Sequence, residues 1–152
     1  MSIRNKRLMK EQHELDKYEL HWTTGWTHHD TVLIKTVQKD IYINIEVGLK
    51  YPFAPPNLYV MKEKKIDYVD WFVKLKSKYK EIGTLIHIPC VCCINIMCNW
   101  VPTYRIQSIL DDFLKYHDYF KQLESFSIIY GKINGFDDLI YKNIILYLIY
   151  NA

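Results

Sequence analysis

All four cysteines of this chain lie between Cys90 and Cys98, with His87 just before them and Asn95 among them. A thiolate is both a nucleophile and a metal ligand, so two chemistries are open. One is covalent acyl transfer through a single exposed thiol, with an imidazole or an amide to assist it. The other is zinc, which asks for four nitrogen or sulfur ligands around a closed tetrahedron. The pattern C-x-C-C-x4-C contains no C-x-x-C pair, and the adjacent Cys92 and Cys93 are poorly placed to face one ion. In an extended segment neighbouring side chains point to opposite sides, so only one of Cys92 and Cys93 can be a nucleophile. A free cysteine is also a small buried hydrophobe, and that reading stays open.

No other catalytic template is visible: no glycine-rich phosphate loop, no G-x-S-x-G, no H-E-x-x-H. His28-His29-Asp30 sits in a threonine-rich turn and reads as a surface loop. The pairs Asp111-Asp112 and Asp137-Asp138 read as solvated or dipole-complementing carboxylates at helix starts or faces. Net charge is +3, too little and too dispersed for nucleic acid, which wants a concentrated basic face. The lysine run from Lys62 to Lys80 is broken by acids and reads as a solvated helix face. The N-terminus is charged without an apolar leader, and Ile144–Tyr150 is too short to span a bilayer. The expectation is a soluble, cytoplasmic protein with reduced thiols, no cofactor, and no membrane or nucleic-acid partner.

The elements that would position the cysteines are legible from periodicity. Apolar content of 49% excludes a disordered chain, and the length suits one domain over residues 1–152. Leu8, Glu11, Gln12 and Leu15 space a first helix from a Ser2 cap to about Asp16, with Lys and Arg on its exposed side. Strand patterns follow at Tyr18–Trp22, Val32–Val37, Ile41–Val47 and Leu58–Met61, with a turn at Gln38–Asp40: an antiparallel meander of about four strands. Trp71, Phe72, Leu75 and Tyr79 share one face of a helix over Tyr68–Ile82, stopped by Gly83. Leu85–Ile88 is a short apolar strand or loop. Ile106, Ile109, Leu110, Phe113 and Leu114 form the stripe of a helix over Thr103–Leu123. A turn at Gly131–Gly135 and a last helix over Phe136–Tyr150 complete an α+β order, with helices grouped around one sheet.

Two fragments carry a resemblance. The first is Tyr51-Pro52-Phe53-Ala54-Pro55-Pro56. The prolines fix φ and remove donors, ending a strand, and Tyr51 and Phe53 are expected to pack under the next one. The second is Cys93-Ile94-Asn95-Ile96-Met97, followed by Trp100-Val101-Pro102 and the Ile106 stripe. In this order, and with the opening helix text Arg7–Leu15, they resemble the ubiquitin-conjugating (UBC) family. The resemblance covers most of Ser2–Leu114. It implies a UBC-like fold, a thioester-carrying cysteine at Cys93, and Trp100 and Pro102 as structural supports of the next helix. Phe53 and Pro55 correspond to a ligase-facing loop. The divergence and the Ile, Lys, Tyr and Asn usage are similar to those of UBC-like proteins in large DNA viruses.

Two departures accompany it. The family's His-Pro-Asn is represented by His87-Ile88-Pro89-Cys90-Val91-Cys92, with a His and a Pro but no Asn at that place, and the Tyr68–Ile82 helix is extra. The implied enzyme would take ubiquitin or a ubiquitin-like protein from an activating enzyme onto Cys93 and pass it to a lysine, with His87 and Asn95 beside the thiol. Lacking the oxyanion-stabilising Asn, it would transfer slowly. The alternatives are an inactive UBC-fold adaptor that binds ubiquitin, a ligase or another protein, and a domain whose cysteines are structural or hold zinc.

Overall fold

The computed structural model describes residues 1–79, 96–132 and Tyr147. Helix α1 (Ile3–Leu15) opens on Ser2, whose hydroxyl accepts from the Asn5 N–H at 3.1 Å, an N-cap that satisfies one of the first turn's orphan donors. Five strands follow, β1 (His21–Trp22), β2 (Val32–Gln38), β3 (Ile41–Val47), β4 (Asn57–Met61) and β5 (Lys65–Asp67), paired antiparallel in sequence order. Helix α2 (Tyr68–Lys78) leaves β5 directly, its first turn capped by the Asp67 carboxylate on the Val69 N–H at 2.9 Å. Helix α3 runs from Ile106 to Lys132. The architecture is α+β: an N-terminal helix, a five-stranded antiparallel meander, and helices after it.

Alternation along the strands makes one face of the sheet dry. Val32, Ile34, Ile43, Ile45, Val47, Leu58 and Val60 are fully buried, and register places Ile34 opposite Ile45 and Ile45 opposite Leu58. They join Leu8 and Leu15 of α1, Tyr68, Trp71 and Phe72 of α2, and Ile106, Ile109, Leu110 and Phe113 of α3 in one core cluster. Burial of each such side chain contributes roughly 1.5–3 kcal/mol. The β2–β3 turn is tight: Lys39 and Asp40 have φ of 52° and 61°. Two successive left-handed residues match the strand twist and close a two-residue hairpin.

The structure departs from the sequence reading in several places. Among the described residues there are five strands rather than about four, because Lys65–Asp67 pairs with Tyr59–Met61. Lys62, Lys64 and Lys65 therefore lie in a turn and a strand, not on a helix; of the described lysines of that run, Lys74, Lys76 and Lys78 lie on α2. Lys65 reaches across the sheet to Glu46 at 2.6 Å and sits 3.8 Å above the Tyr59 ring. Helix α3 begins at Ile106 rather than Thr103, and continues through Gly131 instead of turning there. Arg4 of α1 is buried (1% exposed) although the helix was expected to keep its cations outside. Its guanidinium donates to the carbonyls of His29 at 2.6 Å and Asp30 at 2.7 Å. Burial holds its pKa below the ordinary value, against the pull of Asp30. The remaining elements expected at Leu85–Ile88 and Phe136–Tyr150, and the end of the helix expected to reach Ile82, fall outside the described residues, Tyr147 apart.

Candidate functional site

The two motif fragments meet in space. The Trp100 indole N–H donates to the Pro52 carbonyl at 2.7 Å, and the Tyr51 and Trp100 rings lie 6.1 Å apart. Trp100 also packs edge-on against Tyr104 at 5.8 Å. It thus closes the core beside the segment that follows the cysteines, as its spacing implied. Pro102 is exposed in the turn before α3 rather than at the first position of the helix.

Beneath this junction lies a carboxylate that sequence reasoning passed over. Glu11 of α1 is 2% exposed. Its Oε1 accepts from the Arg7 Nε at 2.5 Å and from the Tyr51 hydroxyl at 2.6 Å. Its Oε2 accepts from the Ile106 N–H at 3.0 Å. One acid therefore fixes the proline turn, supplies the first donor of α3 with a partner, and sets a negative charge at that helix's positive end. Arg7 extends the tie, with its Nη2 donating to the carbonyls of Thr103 and Tyr104, each at 3.2 Å. Burial lowers the basicity of Arg7, but the hydrogen bond and charge of Glu11 outweigh it and the pKa is raised. Burial and the Glu11 carboxylate together push the Tyr51 hydroxyl far above the ordinary tyrosine range. The signal was present in the sequence: Glu11 falls three residues after Leu8 and four before Leu15, on the apolar stripe of α1.

A second carboxylate holds the other side. Asp112 of α3 accepts from the Tyr68 hydroxyl at 2.7 Å and from the backbone of Ile96. Burial pushes its carboxyl above the ordinary range, while Tyr68, Lys115 and Ile96 pull the other way. Asp111 accepts from the Tyr18 hydroxyl. The pair was expected to be solvated or dipole-complementing: Asp111 is exposed, as expected, while Asp112 is half-buried, and each accepts from a tyrosine brought from another element. Tyr68 is fully buried, and burial with Asp112 raises its pKa strongly.

The proline turn itself divides its side chains. The Tyr51–Pro52 peptide is cis. The Ala54 N–H donates to the Lys50 carbonyl at 3.0 Å, closing one helical turn. Tyr51 and Phe53 fall on different sides of that turn: Tyr51 is 1% exposed and Phe53 is 67% exposed. The expectation that Phe53 packs under the next strand is therefore wrong. Pro56 is buried and Pro55 half-buried.

The chemistry-bearing residues Cys93, His87 and Asn95, with Cys90 and Cys92, lie outside the described residues. The fourth cysteine, Cys98, is described and its thiol is exposed and free. His28, His29 and Asp30 are exposed in a turn. Among the described residues no three His, Cys, Asp or Glu side chains converge as a metal site, and no helix is long and apolar enough to cross a membrane. Searches against protein-family models, curated proteins and solved structures returned no match to the chain.

Proposed function

We propose that the chain is a UBC-like acyl carrier that takes ubiquitin, or a ubiquitin-like protein, as a thioester on Cys93. The observation that supports this most is the contact between the two fragments that carry the family resemblance, through the Trp100–Pro52 hydrogen bond. Residues 48 positions apart in sequence build one junction at the exit of the cysteine segment. Carboxylates at Glu11 and Asp112 anchor that junction to α1, α2 and α3. A rigid frame of this kind suits a nucleophile that must meet two large protein partners in turn, since positioning supplies much of the rate in such transfers. The reaction on this reading is transthioesterification. The Cys93 thiolate attacks the thioester carbonyl presented by an activating enzyme, whose own thiolate leaves; a lysine amine then attacks the Cys93 thioester, loses a proton and releases the thiolate. His87 and Asn95 are assigned to the neighbourhood of the thiol.

A second reading is favoured by Leu49 and Phe53, which stand 56% and 67% exposed in the connection between β3 and β4. Exposed large apolar side chains on a loop fit a partner surface. On that reading the chain is a non-catalytic adaptor of the same fold, docking ubiquitin, a ligase or another protein. A charging experiment separates the two. The protein is incubated with activating enzyme, ATP and ubiquitin, beside a Cys93→Ala variant, and resolved with and without reductant. The carrier gives a thiol-sensitive adduct that the variant lacks. No adduct, with the activating enzyme competent on a control carrier, leaves the adaptor.

A further inference from the structure

Away from the Trp100 junction, a half-open cavity of about 460 Å3 lies between the β2–β3 turn, the end of α2 and the middle of α3. Its apolar wall is built from Ile41, Trp71, Leu75 and Phe120. Around it stand four lysines from four separate places in the fold: Lys39 of the β2–β3 turn, Lys62 of the β4–β5 turn, Lys78 of α2 and Lys121 of α3. Asp40 and Glu124 share the lining, and Asp118 faces Lys39 at 3.7 Å. Four ammonium groups against three carboxylates leave a positive excess. The pairs that exist are weak: Lys39 and Asp118 are each 55% exposed, and Lys121 reaches Glu124 only at 3.8 Å. Exposed, long ion pairs of this sort give way readily to a better acceptor. Among the described residues neither Lys62 nor Lys78 has a carboxylate partner.

A second observation points the same way. Trp71 is 4% exposed, and its indole N–H has no hydrogen-bond acceptor among the described residues. Buried donors are almost always satisfied, so an orphan N–H on a residue of a cavity wall marks a place where an acceptor is missing. Like charges brought together from four elements repel one another and call for an anion between them. The volume falls within the range of small-molecule sites, and an apolar wall with a few convergent polar groups is their usual make-up.

We propose that this cavity binds a small organic phosphate, its body against the part of the apolar wall formed by Ile41 and Leu75 and its phosphate oxygens among the ammonium groups of Lys62, Lys78 and Lys121. Lysine binds phosphate as a point charge, without the fixed fork of arginine, which suits a ligand held by several separate elements. The proposal is independent of the carrier reading, because the cavity shares none of the residues that form the Trp100–Pro52 junction.

The test uses the full chain and ADP as probe, followed by titration calorimetry and tryptophan fluorescence, with pyrophosphate and adenosine as separate arms. ADP is expected to bind, more weakly as salt rises, and more tightly than either fragment. A Lys62→Glu/Lys78→Glu variant, altering two exposed side chains, is expected to lose about tenfold or more in affinity, since each reversal sets a like charge against the phosphate. Trp71→Phe is expected to weaken binding and abolish most of the fluorescence response while the urea midpoint confirms the fold. No heat with ADP up to about 5 mM overturns the proposal, because that bounds affinity at the weakest useful level. So does adenosine binding as tightly as ADP, which leaves an apolar pocket only. Pyrophosphate binding as tightly as ADP, or affinity unmoved by the charge reversals, overturns it as well.

Discussion

Removing the Glu11 carboxylate is the sharpest test of how the frame is held. Glu11→Ala deletes one acceptor group that serves three donors, Arg7 Nε at 2.5 Å, Tyr51 hydroxyl at 2.6 Å and Ile106 N–H at 3.0 Å. Tyr51 and Ile106 are 1% and 0% exposed, so water does not easily replace what is lost. A hydrogen bond to a charged group is worth about 1.5–3 kcal/mol net, and each orphaned buried donor costs about 1–3 kcal/mol. These terms overlap, and loss of one partner of a buried ion pair typically costs about 3–5 kcal/mol in all. The expected loss for Glu11→Ala is therefore about 3–5 kcal/mol. Tyr51→Phe removes one donor and orphans nothing, since Glu11 keeps two partners; about 1 kcal/mol is expected. The two substitutions share a contact, so their double-mutant cycle should show about 0.5–3 kcal/mol of coupling. Urea unfolding followed by far-ultraviolet dichroism reads the changes as midpoint shifts at constant slope. A Glu11→Ala loss below about 1 kcal/mol, the scale of an ordinary solvated group, would refute the clasp.

Trp100→Phe keeps an aromatic ring, smaller than the indole, and removes the bond to the Pro52 carbonyl; the expected cost is about 1–2 kcal/mol, with slowed charging at Cys93 on the carrier reading, and an unchanged urea midpoint would count against the junction. Burial raises the pKa of Tyr51 and of Tyr68 in the folded chain, further helped by Glu11 and Asp112 respectively. The folded state then holds protons that the unfolded state releases near pH 10, so stability should fall by about 1.4 kcal/mol per pH unit for each of them as pH climbs past that value. The part of the tyrosinate absorbance that Tyr51→Phe and Tyr68→Phe variants lack should rise in one cooperative step coincident with unfolding; a gradual titration of these two rings in folded protein would contradict it. Asp40 holds a left-handed φ of 61° at the hairpin turn, so Asp40→Gly should stabilise by about 0.5–1 kcal/mol, measured by thermal melting. A lower melting temperature would show that the Asp40 side chain contributes more than its backbone strain costs.

What could be read from the sequence was whatever is encoded by neighbours. The alternation Ile41, Ile43, Ile45, Val47 fixes a strand face, and Trp71, Phe72, Tyr79 fix a helix face, because each pattern repeats within its own element. The strand at Lys65–Asp67 escaped because three residues inside a charged run cannot display a period. The start of α3 was misplaced by three residues because its first donor is satisfied by Glu11, 95 positions earlier, a partner that no neighbouring residue announces. Asp112 looked like a surface charge for the same reason: Tyr68, its partner, is distant in sequence. Arg4 and Glu11 could have been found, since both lie on the apolar stripe with Leu8, where a charge must bring its partner inside. The two motif fragments were legible as motifs; that they touch was not, because contact between them is a property of the fold.

The sheet and the clasp also set a timetable for folding. Among the described residues every strand pairs with its neighbour in sequence, and the β2–β3 ladder closes on a two-residue turn, so the meander assembles through short loops at little entropic cost. The Glu11 clasp instead joins the first helix to a turn 40 residues away and to a helix 95 residues away. Contacts of that span are expected to form after the local ones, on the native side of the folding barrier. Substitutions in the clasp should therefore leave the refolding rate nearly untouched and accelerate unfolding, whereas a substitution at Ile45, paired on both sides in the middle of the meander, should slow refolding. The residues that tie the motif junction together thus act as a kinetic latch: they govern how long the assembled junction persists rather than how quickly it is made.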